Sequence, residues 1–62
     1  MNIDPKLKEE LKKRRLREYE IRMFEIQMDI EAGKAVNDEA FVKEREEQLR
    51  KLELAYKAVE AM

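Results

Sequence analysis

From Lys6 to Ala32 the chain carries neither glycine nor proline and few β-branched residues, so nothing interrupts a helix over that run. Within it the apolar residues take two sides. At about 100° per residue, Leu16, Tyr19, Met23, Ile26 and Ile30 fall on one stripe at alternating spacings of three and four. Ile21, Phe24 and Met28 fall nearly opposite, and Leu7 extends that second stripe toward the N-terminus. A helix with apolar surface on both sides has to be covered twice, which makes assembly the first expectation for this chain.

The helix ends are marked in the sequence. Asp4 is placed to cap the free N–H groups of the first turn, and Pro5 suits the first helical position, where its missing N–H is not needed. Gly33, the only glycine, follows the last periodic residue and predicts a left-handed stop. The first helix is therefore expected over residues 5–32, about 42 Å long at 1.5 Å per residue. A turn at 33–37 follows, with Asn37 as the next N-cap, Asp38 and Glu39 in the new first turn, and Val36 packing on Phe41 as a staple. A second helix over 38–61 has no breaker. Two long helices joined by so short a connection fold back on each other, so the chain predicts an all-α, antiparallel two-helix hairpin as one domain, residues 1–62.

The second helix is patterned differently. Phe41, Arg45, Gln48, Leu52, Ala55 and Val59 repeat at four and three, flanked by Val42, Leu49 and Tyr56, giving one broad apolar face. Its other side is charged, apart from Leu54. The hairpin core is expected from Leu16, Tyr19, Met23, Ile26 and Ile30 of the first helix with Phe41, Leu49, Leu52, Tyr56 and Val59 of the second. Leu7, Ile21, Phe24 and Met28 are left as a dimer or partner interface. With 62 residues, a lone core supplies roughly 3–5 kcal/mol unless a disulfide, a metal or a partner copy helps. The chain has no cysteine and no histidine, which leaves self-association, and a two-fold pairing of hairpins closes a four-helix bundle. Arg45 and Gln48 sit where an unbroken seam would place leucine. Either their stems lie along the seam with the heads in solvent, or Arg45 pairs with a carboxylate of the first helix. Met23 and Met28 read as core filling, with an adaptable binding surface as the alternative. Tyr19 and Tyr56 sit at stripe edges, ring packed and hydroxyl wet, Tyr56 facing the basic N-terminal half.

Catalysis is not expected. Without histidine or cysteine it would rest on carboxylates, lysine or tyrosine, and the carboxylates sit beside basic residues at ion-pair spacing, as in Glu9 with Lys13, Glu46 with Arg50 and Glu53 with Lys57. A lone glycine cannot form a phosphate-cradling loop, and no cofactor or metal site is expected. No run approaches the roughly 18 apolar residues of a membrane span, and no secretory signal is visible, so a cytoplasmic protein is expected.

Charged residues are 47% of the chain with a net charge of −1, so the signs are mixed, but not evenly. Residues 1–18 hold seven basic and four acidic side chains. The basic patch Lys12, Lys13, Arg14, Arg15 and Arg17 is either a solvated face answered by the acidic second helix or a surface for an acidic protein. Nucleic acid is the weaker reading, because Glu9, Glu10 and Glu18 interrupt the run and no aromatic lies between Lys6 and Arg17 to stack on bases. Leu7, Leu11 and Leu16 share no face, which argues against a membrane surface.

The segment Tyr19-Glu20-Ile21-Arg22-Met23-Phe24-Glu25-Ile26-Gln27 resembles a stretch in the first helix of NblA-type phycobilisome degradation proteins of cyanobacteria, red-algal plastids and cyanophages. The small, cysteine-free hairpin format is similar too, while the connection after Glu31 is longer and the second helix more charged. The resemblance implies a dimeric adaptor that binds phycobiliproteins and delivers the antenna to a Clp-type protease. Two further readings of the residues stand beside it: a phage- or plasmid-type regulator that blocks a host protein, and a dimeric hairpin that binds structured RNA through its basic half.

Overall fold

The computed structural model describes residues 3–62, and Met1 and Asn2, the start of the expected lead segment, lie outside them. All regular structure among these residues is helical: α1 spans Pro5–Ala35 and α2 spans Glu39–Glu60, and the two pack against each other. The Asp4 carboxylate accepts a hydrogen bond from the Lys6 N–H at 2.9 Å, closing the start of α1, with Pro5 in the first turn. The hairpin is a rod of 51 × 15 × 15 Å.

The turn departs from the expected one in three linked ways. Gly33 is helical, not a stop, and α1 runs on to Ala35. The left-handed residue is Asn37, with φ 58°. Asn37 N–H donates to the Lys34 carbonyl at 3.1 Å and Asp38 N–H to the Gly33 carbonyl at 2.9 Å, the paired bonds of a Schellman C-cap with asparagine where glycine is more usual. Asp38, not Asn37, is then the N-cap of α2, its carboxylate accepting from the Phe41 N–H at 3.2 Å. Moving the cap by one residue takes Val36 out of the staple position, and it stands 73% exposed. The expected boundaries 5–32, 33–37 and 38–61 therefore become 5–35, 36–38 and 39–60.

Gly33 is buried because it belongs to the seam. It continues the run Met23, Ile26, Ile30 at the same spacing, and a Cβ there would lie 2.8 Å from Phe41 Cδ2 and 2.9 Å from Val42 Cγ2. The missing side chain lets α2 approach α1 directly after the turn. Further along, Asp29 faces Arg45, Glu20 meets Tyr56 and Lys12 reaches Met62, so each step back along α1 is answered by a similar step forward along α2. The pairing is antiparallel and keeps one register along its length.

Replacing Gly33 by alanine tests this close approach. The gain in helix propensity is about 1 kcal/mol, overpacking costs about 1–3 kcal/mol, and a lowered thermal midpoint by circular dichroism is the expected outcome. For the cap, Asp38→Ala is expected to cost about 1 kcal/mol in the same assay, while Asn37→Gly, which keeps the left-handed turn open to the backbone, leaves the midpoint nearly unchanged.

Candidate interaction surface

The seam between the helices accounts for one stripe of α1. Leu16, Tyr19 and Met23 are half-buried along it, and Ile26 and Ile30 are buried at 4% and 7% exposure. From α2, Phe41, Leu49, Leu52, Tyr56 and Val59 are half-buried opposite them, together with Val42 and Ala55. Among the described residues these two isoleucines are the whole buried apolar core. The reason is geometric: one helix face against one helix face leaves most seam residues open at one edge.

The second stripe is not covered. Ile21 is 55%, Phe24 60% and Met28 50% exposed, and Leu7 lies in the open on the N-terminal extension of the same face. Arg17, Glu20, Ile21, Phe24, Glu25 and Met28 line a shallow open groove there, and a second lies between Phe24, Met28 and Glu31. Leu11, Leu54 and Val36 are exposed apolar residues away from it. Leu11, spaced four from Leu7, lines a groove at the open end with Lys12, Arg14, Arg15 and Val59, a feature that spacing alone could have flagged.

Polar groups at the seam edges are tied across it. Arg45 lies with its guanidinium carbon 5.0 Å from the centre of the Phe41 ring, in cation–π reach. Its Nη1 donates to Gln48 Oε1 at 2.8 Å, and its Nε, buried and without a hydrogen bond, is 3.8 Å from the Asp29 carboxylate. Both expectations for Arg45 thus hold in part, the stem along the seam and a carboxylate of α1 beside the head. Arg50 pairs with Glu47 rather than Glu46, through bonds of 2.6 and 3.1 Å, because three residues back places the two forks side by side. That pairing holds the Glu47 carboxyl below, and the Arg50 guanidinium above, its ordinary value.

The basic patch is not answered by α2. Among the described residues the ion pairs are Lys34–Glu31, Arg45–Asp29 and Arg50–Glu47, none of them involving Lys12, Lys13, Arg14, Arg15 or Arg17. Lys12 instead donates to the main-chain oxygen of Met62 at 2.7 Å. The α2 segment that lies beside the patch carries Glu53 and Glu60 but also Lys57, too few carboxylates in reach to match it. Tyr56 faces this basic half beside Arg17 and donates its hydroxyl proton to Glu20 Oε1 at 3.0 Å. Glu20 as an acceptor, and Asp29 as the partner of Arg45, were not singled out by the sequence pattern, because their roles follow only from the register of α2 on α1.

No helix among the described residues is long and apolar enough to cross a membrane. No protein-family model matches the chain, and comparison with curated proteins and with solved structures gives no match.

The bond to Glu20, with partial burial and the carboxylates of Glu20 and Glu60, raises the Tyr56 hydroxyl above its ordinary value. A group raised in the fold stabilises below its unfolded pKa, about 10 for tyrosine, and that contribution disappears as pH climbs through the folded value. In a Tyr19→Phe background the tyrosinate absorbance is expected to develop at higher pH in the folded chain than in denaturant. Adding Glu20→Gln should bring the two curves together; a folded-state curve that Glu20→Gln does not move would show that this bond does not form.

Proposed function

We propose that this chain is a small, non-enzymatic protein–protein interaction module that works as a homodimer, two hairpins joined through the exposed stripe of α1 into a four-helix bundle. The observation that carries the reading is the exposure of Ile21, Phe24 and Met28 on a face that α2 does not reach, in a hairpin whose own seam buries only Ile26 and Ile30 among the large apolar residues described. A core of that size leaves a hairpin marginal alone, and covering a second stripe adds apolar burial at about 25 cal/mol per Å². Pairing through α1 leaves the outward face of α2, with Lys43, Glu44, Glu47 and Arg50, in water as the surface for another protein. The resemblance over Tyr19–Gln27 supports an adaptor role in which the partner is a phycobiliprotein and the outcome is phycobilisome disassembly or degradation.

Light scattering is expected to give twice the 7.5 kDa mass of the chain for the wild type. Phe24→Asp places a carboxylate in the apolar pairing at a cost of several kcal/mol and is expected to give the single-chain mass. Leu54→Asp, at an exposed apolar site on α2, should remain dimeric. An unchanged mass for Phe24→Asp removes this stripe as the pairing surface. Tagged wild-type protein is then passed over cyanobacterial lysate: recovery of blue phycobiliprotein supports the adaptor, and a dimeric bait that recovers none removes that partner.

A further inference from the structure

The long axis of the hairpin carries a charge gradient, and of the ion pairs among the described residues only Arg50–Glu47 joins its two ends, too little to cancel it. The open end, residues 1–18 with 50–62, holds ten basic and six acidic side chains. The turn end, residues 25–47, holds three basic and eight acidic ones. The middle, residues 19–24 with 48 and 49, holds one of each. Along the 51 Å rod the charge therefore runs from +4 at one end to −5 at the other.

The exposed stripe has the same polarity. Extended at its own spacing in both directions, the row Ile21, Phe24 and Met28 meets Arg17 and Arg14 toward the open end and Glu31 toward the turn. Arg17 and Glu31 flank the apolar residues in the grooves of that face. Pairing two such rows in parallel sets Arg14 on Arg14, Arg17 on Arg17 and Glu31 on Glu31, three layers of like charge.

We infer that the second copy binds this stripe antiparallel, with Ile21 level with Phe24 of the partner subunit and the two-fold axis passing between them. The inference rests on the self-association proposed above and fixes its orientation. At this register Arg14 lies level with the partner's Glu31, on both sides of the axis. Met28 lies level with the partner's Arg17, whose aliphatic stem extends the apolar layer while its guanidinium reaches water. The basic open end of each hairpin comes to rest beside the acidic turn end of the other, so the opposed gradients attract along the whole contact. The Leu7 turn of one copy reaches the level of the partner's turn, where Val36 stands exposed.

The absence of cysteine allows a single spin label to be introduced at Lys6→Cys, an exposed site at the N-terminal end of α1, about four turns away from the Ile21–Phe24 level. Antiparallel pairing about the Ile21–Phe24 level separates the two labels by about 50 Å at 1.5 Å of rise per residue. Parallel pairing holds them within about 25 Å, the interhelix spacing plus label length. A pulsed electron-resonance distance near the longer value is the expected result. The shorter value overturns the orientation and leaves the dimer standing, and a single-chain mass by light scattering overturns both. Independently, Arg14→Glu is expected to raise the dimer dissociation constant roughly tenfold at low salt by facing two pairs of carboxylates, with recovery to near wild type when Glu31→Arg is added. Failure of the double variant to recover overturns the proposed register.

Discussion

Phe41 and Val42 can lie against α1 only because position 33 has no side chain, and the rest of the hairpin follows from that approach. A contact so close to the turn sets the rotation of α2 about its own axis before any other seam residue is engaged. With that rotation set, Arg45, Gln48, Leu52, Ala55 and Val59 follow along the seam, and the charged residues follow into solvent. The two buried isoleucines, Ile26 and Ile30, are those within two turns of this point. Packing is tightest where the helices are closest and loosens toward the open end.

Polar groups take over where apolar burial thins. Arg45 lies over Phe41 with Gln48 and Asp29 beside it, and Tyr56 reaches across to Glu20. These bonds lie at the wet edges of the seam, where each is worth little in free energy. The two that cross the seam, Arg45 with Asp29 and Tyr56 with Glu20, bear on register: a shift of α2 along α1 would separate them while leaving an apolar seam still able to pack. The second stripe of α1 lies away from α2, and its residues Ile21, Phe24 and Met28 remain exposed.

The two-sided character of α1 was legible because a period of three and four is set by backbone geometry alone, and the seam residues Leu16 through Ile30 could be named from spacing. The turn was not legible in the same way. Glycine ends helices and also permits close approach, and asparagine caps helix starts and also tolerates the left-handed region. At Gly33 and Asn37 local signals favoured the first role of each, and packing of Phe41 and Val42 selected the second. The unanswered basic patch has the same origin: whether α2 could neutralise it depended on which residues the register brings alongside, and those are mixed in sign.

An antiparallel pair joined by one tight turn orders its own opening. The chain length enclosed by each cross-contact grows from eight residues between Gly33 and Phe41, through 36 between Glu20 and Tyr56, to 50 between Lys12 and Met62. The entropy of closing those loops rises by roughly 1.5 kcal/mol from the first to the last, while the apolar contact available to offset it falls. The helices therefore zip from the turn and fray from the other end, and amide exchange should be slowest around Ile26–Gly33 and quicken with distance from it. The segment that carries the unpaired positive charge is thus also the one whose hold on its neighbour is most easily released.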